Sequence, residues 1–84
     1  MILREEFRGD LEFWITSQPR IALRIMKLIE DVVRDPFGGI GKPEVLKHDH
    51  LKRWSRRITD EHRLVYEITS LGPAFYQARY HYGR

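Results

Sequence analysis

The 84-residue chain contains no cysteine, which removes the disulfide staples that many small folds depend on. A chain of this length is expected to form one domain, residues 1–84, and buries only about 60% of the surface its unfolded form exposes. With a modest core and no disulfides, oligomerisation or a folding partner is the expected source of further stability. Long hydrophobic runs are missing too, since no stretch reaches the roughly 18 apolar residues of a membrane span. The opening MILREEFRGD carries acidic residues where a secretory signal would be apolar, so the expected location is cytoplasmic, with no membrane partner. No internal repeat or low-complexity tract interrupts the chain.

Two kinds of site are disfavoured by what is lacking. His48 and His50 have the i, i+2 spacing that lets two imidazoles share a strand face, but spacing suggests no third or fourth ligand and no thiolate exists, so no metal is expected. Gly38, Gly39 and Gly41 neither follow a strand nor lead into a Gly-Lys-Ser/Thr motif, so they read as a loop rather than a nucleotide cradle. No cofactor is expected.

The charge is uneven. The net charge is +3, yet residues 1–41 hold six basic and seven acidic groups, residues 42–63 seven basic and four acidic, and residues 64–84 two basic and one acidic. All four histidines also lie in the second half. A positive field beside imidazoles suits a polyanion, although charge alone reads more readily as an ordinary solvated surface.

Apolar periodicity divides the chain at the Pro/Gly segment Asp35 to Pro43. Before it, Ile2 and Leu3 suit a short strand. Phe7, Leu11, Trp14 and Ile15 fall on one helical face, with Glu5 and Glu6 at the helix start and an end near Ser17. Pro19 opens a second helix, in which Ile21, Ile25, Leu28, Ile29 and Val32 line one face and Ala22, Met26 and Val33 widen it, until Asp35-Pro36 stops it. After the break the pattern alternates. Trp54 and Ile58 oppose Ser55 and Arg57; Leu64, Tyr66 and Ile68 oppose Arg63, Val65 and Glu67; Ala74, Tyr76, Ala78 and Tyr80 oppose Phe75, Gln77, Arg79 and His81. The expected fold is α+β: an N-terminal helical hairpin packed on a twisted antiparallel sheet, with Arg57, Arg63 and His81 on the face away from the helices.

A carboxylate, an imidazole and several fixed cations are what metal-free cleavage of an RNA phosphodiester needs: a base, an acid and neutralisation of charge on phosphorus. Glu44, stiffened by Pro43, is a candidate base, though taken alone it reads more readily as a surface carboxylate paired with Lys42 or Lys47. Arg56, Arg57 and Arg63 are candidate phosphate forks, each equally accounted for by pairing with Asp60, Glu61 or Glu67. Lys52 and Arg53 extend the basic stretch. His81 can hold a proton for a leaving oxygen, its ordinary pKa being about 6.5. Tyr80 and Tyr82 can stack on a base or simply pack.

Three blocks, Pro36 to His48, Trp54 to Tyr66 and Arg79 to Tyr82, together with a tryptophan at Trp14, resemble the YoeB/Txe family of bacterial toxins within the RelE-like ribonuclease superfamily. The resemblance runs nearly end to end. It implies a compact α+β fold of the RelE-like, microbial ribonuclease-like kind. It also implies a dimeric, ribosome-dependent endoribonuclease that cuts messenger RNA in the A site, held silent by a YefM-like antitoxin. Carried over by motif, Glu44 is the general base, His81 the general acid and Arg63 the stabiliser of the transition state, with Lys47 and Arg57 at the phosphate and Tyr82 at the substrate. Gly83 and Arg84 extend past the tyrosine at which family members commonly end, and the region around Arg8-Gly9 departs more. Two rivals stay open at this point. One is a related-fold toxin acting on a protein such as gyrase, and the other is a non-catalytic RNA- or ribosome-binding module.

Overall fold

A computed structural model describes residues 1–80 and shows two helices packed on one face of a five-stranded sheet. In chain order the elements are β1 (Ile2–Leu3), α1 (Glu5–Ser17), α2 (Pro19–Arg34), β2 (Glu44–Val45), β3 (Trp54–Arg57), β4 (Arg63–Thr69) and β5 (Gly72–Gln77). Among the described residues, no helix is long and apolar enough to cross a membrane.

The helices begin and end where local chemistry places them. Arg4 is extended at the cap of α1, and Glu5 and Glu6 occupy the first turn, facing the positive end of the helix dipole. Pro19 starts α2, where its missing N–H costs nothing. Phe7 and Trp14 of α1 and Ala22, Ile25, Leu28, Ile29 and Val32 of α2 are buried. Ile15, Met26 and Val33, which the periodicity assigns to the same stripes, are exposed. At 3.6 residues per turn Ile15 sits about 80° from Phe7, and Met26 and Val33 about 80–100° from Ile25, beyond the arc that reaches the sheet.

The sheet order is β1-β5-β4-β3-β2. The meander β3-β4-β5 is antiparallel as the alternation predicts, and the two short strands extend it at both edges: β2 antiparallel to β3, and β1 parallel to β5. Leu64, Tyr66, Phe75 and Trp54 meet the helices to form the core. Register shifts between Val65 and Tyr66, because Val65 pairs with Gln77 while Tyr66 pairs with Phe75. One extra residue, Tyr76, is thus bulged out of β5 and breaks the strict alternation. Ala78, whose parity matches Ala74 and Tyr76 in the sequence, instead joins the core between the helices and sheet.

Between α2 and β2 the chain turns through Gly39 (φ 109°) and Gly41 (φ 82°), both left-handed. A Cβ at Gly41 would lie 2.9 Å from Leu28 Cδ2 and 3.1 Å from Arg56 Cβ, and at Gly39 2.1 Å from Asp31 Oδ2. Only glycine satisfies both the torsion and the space here. This turn delivers the chain to Glu44 at the start of β2.

Candidate active site on the far face of the sheet

Paired residues on neighbouring strands point to the same side of a sheet, and residues two apart on a strand do so as well. Glu44 pairs with Ser55, Ser55 with Val65, Val65 with Gln77, and Arg57 with Arg63. Glu44, Arg57 and Arg63 therefore share the face opposite the helices. Direct cross-strand neighbours have Cβ atoms about 4.5–5.5 Å apart, and the diagonal from Glu44 to Arg57 spans about 7–8 Å. A carboxylate and two guanidinium groups are gathered on one face of the sheet.

Arg63 is aimed by the turn that precedes it. Thr59 Oγ1 accepts the N–H groups of Glu61 and His62 at 3.2 and 3.1 Å, and the His62 carbonyl accepts the Ile58 N–H at 2.9 Å. The carbonyls of Thr59, Asp60 and His62 converge on one nitrogen, Arg63 Nη1, at 2.7, 3.1 and 3.1 Å. All three anchoring contacts use that one nitrogen, so the fork is oriented without being consumed. Burial lowers the Arg63 pKa first and the neighbouring Arg57 charge lowers it further, while Asp60 and Glu44 raise it. Arg57 itself is exposed, and its main chain is fixed on both sides: its N–H donates to the Gly41 carbonyl at 2.6 Å, and its carbonyl accepts from Arg24 Nη2 at 3.2 Å.

The remaining cations predicted for the site divide. Lys47 and Lys52 are exposed on the arm between β2 and β3, Lys52 in a left-handed conformation (φ 54°). Arg53 braces that arm. Its Nε donates to Asp49 Oδ2 at 2.7 Å and its guanidinium lies 4.8 Å from the Tyr76 ring centroid, with Arg4 also near that ring at 5.4 Å. The Arg53 side chain, then its N–H and that of Leu51, hold the Asp49 pKa down to about 2. Exposed His48 and His50 flank this buried aspartate. Among the described residues, no three of His, Cys, Asp and Glu gather where they could hold a metal ion.

Arg56 departs from its expected role as a substrate contact. It points to the helix side, is 0% exposed, and spends every N–H of its guanidinium inside the protein. Nε donates to Tyr66 Oη at 3.1 Å, Nη1 to Asp31 Oδ2 and the Ile40 carbonyl at 2.6 and 3.1 Å, and Nη2 to the Asp35 and Gly38 carbonyls at 2.6 and 2.8 Å. Five donors meet five acceptors, which ties the loop after α2 to the sheet. His81 and Tyr82 lie outside the described residues. Asp10, Trp14 and His62, which sequence reading left out of the site, hold the chain just before them. Their contacts link positions up to 68 residues apart, and nothing in local spacing announces such pairs.

Comparison with known proteins adds relatives over the whole of this architecture. A family model described as a YoeB-like toxin of bacterial type II toxin-antitoxin systems matches residues 3–82. The chain is 52% identical over 73 residues to the Toxin YoeB of Streptomyces coelicolor, covering 87% of each. It is 48% identical over 82 residues to the Toxin YoeB of Escherichia coli K12, covering 98% of each. Among solved structures, a YoeB/ParE toxin from Agrobacterium tumefaciens superposes with a TM-score of 0.90 at 41% identity, covering 96% of this chain and 97% of that one. The toxin of a YoeB-YefM complex from Staphylococcus aureus superposes with a TM-score of 0.85 at 30% identity, covering 96% of this chain and 94% of that one. A YoeB dimer from the same organism gives 0.88 at the same identity and coverage.

Proposed function

Because the chain belongs to the YoeB-like toxins of bacterial type II toxin-antitoxin systems, we propose that it is a ribosome-dependent endoribonuclease that cuts messenger RNA in the A site. The observation that carries this reading is the direct pairing of Arg57 with Arg63 beside Glu44. Like charges opposite one another weaken a sheet, and the Arg63 fork is partly desolvated as well. A bound phosphate relieves both penalties, and a face built only for stability has no use for the pair.

In the proposed reaction Glu44 takes the proton from a ribose 2′-hydroxyl, and that oxygen attacks the adjacent phosphorus. Arg63, with Arg57 and Lys47, neutralises the charge that grows on the phosphoryl oxygens. The 5′-oxygen leaves with a proton from His81, so the products are a 2′,3′-cyclic phosphate and a 5′-hydroxyl. Tyr82 contacts the substrate base. DNA lacks the nucleophile and is not cut. Lys52 and Arg53 add to the basic field that draws the toxin to RNA.

The solved YoeB-YefM complex supports a YefM-like antitoxin as the silencing partner, and the solved YoeB dimer supports a homodimer. The test is primer extension on messenger RNA translated in the presence of the purified toxin. Wild type is expected to leave discrete cuts in codons at the A site, and Glu44→Gln and Arg63→Ala to leave the message intact. A toxin that halts translation without cutting, or that cuts equally well without Glu44, contradicts the reading.

A further inference from the structure

Beyond Gln77 the chain leaves the sheet, and Ala78 to Tyr80 are held mainly by side chains instead. The Ala78 N–H donates to Asp10 Oδ2 at 2.8 Å and its carbonyl accepts from Trp14 Nε1 at 2.8 Å. Gln77 Nε2 donates to the Arg79 carbonyl at 3.0 Å. The Tyr80 N–H donates to His62 Nδ1 at 2.8 Å, and the Tyr80 carbonyl accepts the Arg63 N–H at 3.0 Å. Tyr80 adopts φ 61°, a left-handed conformation that costs a bulky L-residue free energy and persists only when its surroundings impose it.

His62 is the residue that joins this segment to the phosphate site. Its ring stands edge-on to Trp14, centroids 4.7 Å apart at 71°, and lies 5.5 Å from the Tyr80 ring. Accepting at Nδ1 places the proton of the neutral ring on Nε2, with Glu61 Oε1 3.7 Å away. The main-chain carbonyl of the same residue accepts from Arg63 Nη1. One residue thus orients the Arg63 fork through its backbone and fixes the Tyr80 peptide through its ring.

We propose that His62 is a positioning residue: by accepting the Tyr80 N–H at Nδ1, it holds the left-handed turn that sets where the chain departs toward His81. The inference rests on the ribonuclease reading, in which His81 protonates the leaving oxygen. It assigns to the imidazole no contact with RNA. Loss of the ring acceptor therefore falls mainly on the chemical step, because the phosphate contacts of Arg57, Arg63 and the arm, which carry most of the binding, are spared.

The experiment compares wild type with His62→Asn, His62→Gln and His62→Phe in single-turnover cleavage on programmed ribosomes. Asparagine places an acceptor oxygen near the Nδ1 position; glutamine carries it one methylene too far, and phenylalanine keeps a ring with no acceptor. Misplacement by about 1 Å can cost on the order of 10²-fold in rate, so His62→Gln and His62→Phe are expected to lose about that much in kcat with KM within about twofold. His62→Asn is expected to recover at least about tenfold of the loss. Exchange of the Tyr80 amide reads the same bond directly: slow in wild type and His62→Asn, fast in the other two. Wild-type kcat in His62→Phe, no advantage of asparagine over glutamine, or a loss confined to KM overturns the proposal. If phenylalanine prevents folding, the asparagine and glutamine pair decides. If wild type does not cut RNA at all, the ribonuclease reading fails, and the exchange data alone show whether His62 holds Tyr80: equal exchange in all four proteins overturns that too.

Discussion

Arg56 and Arg57 are adjacent on β3 and chemically identical, yet one faces the helices and the other the opposite side of the sheet. On the helix side Arg56 finds a carboxylate, a phenol and three loop carbonyls, and all five of its donors are consumed. On the far side Arg57 is placed opposite another arginine. A fold made only for stability would treat the second face as it treats the first. The contrast separates a cation that maintains the fold from one that, in the proposed reaction, is kept for an anion, and the parity of the strand divides them.

Removing Glu44 or Arg63 tests the far face with the largest expected effect. Loss of a positioned general base, or of one charge-stabilising donor, typically costs about 10²–10³ in rate. Glu44→Gln and Arg63→Ala are expected to lose cleavage in that range in single-turnover assays while their melting curves stay close to wild type.

Arg56 should behave in the opposite way. Arg56→Met leaves the Asp35, Gly38 and Ile40 carbonyls without their donor and takes from Asp31 one partner of three, Arg34 and the Ile40 N–H remaining; breaking a buried pair from one side is destabilising by on the order of 3 kcal/mol. Urea denaturation is expected to show a clear drop in midpoint, with activity per folded molecule reduced far less than in Arg63→Ala. A stable, inactive Arg56→Met would erase the distinction between the two faces.

Acid sensitivity belongs to the aspartates that hold structural arginines. Arg34 first, then the Ile40 N–H and Arg56, bring the Asp31 pKa down to about 2, and Asp49 is likewise held to about 2 by Arg53. A carboxylate whose pKa is lowered on folding contributes stability above its unfolded value and loses it as pH falls through the folded value. The stability tied to both groups is therefore expected to be complete above about pH 4 and to fade towards pH 2, and Asp31→Asn should flatten the melting-temperature profile in that window.

The smallest effect is the most diagnostic of purpose. Arg57→Gln removes a like-charge cross-strand pair and is expected to raise stability by a few tenths of a kcal/mol, within the roughly 0.2–1 kcal/mol range of such pairs, while weakening RNA binding and its salt dependence. Chemical denaturation beside a salt series of ribosome binding measures both. A variant that is less stable would show the Arg57/Arg63 pair to be supported from within the protein.

The helices, the meander and the shared face of Arg57 and Arg63 were legible because each follows from a period, 3.6 or 2, acting on side chains near in sequence, whereas Glu44 joined them only through the resemblance of its motif. Arg56 shows the limit. Its parity with Trp54 already placed it on the apolar side, but its acceptors are loop carbonyls 16 to 21 residues away, invisible to a pattern. The bulge at Tyr76 is a single inserted residue, and it shifts the facing of Gln77 and Ala78. The mooring of Ala78 to Tyr80 depends on Asp10, Trp14 and His62 meeting across the fold, which no spacing encodes.

The central claim is that the far face cuts RNA through Glu44 and the paired arginines. It is tested most directly by the ends of RNA cut on ribosomes with wild type and with Glu44→Gln. The account predicts a 2′,3′-cyclic phosphate and a 5′-hydroxyl with wild type, and at least about a hundredfold slower appearance of the same ends without the carboxylate. A 5′-phosphate product, or undiminished cutting by Glu44→Gln, would contradict it.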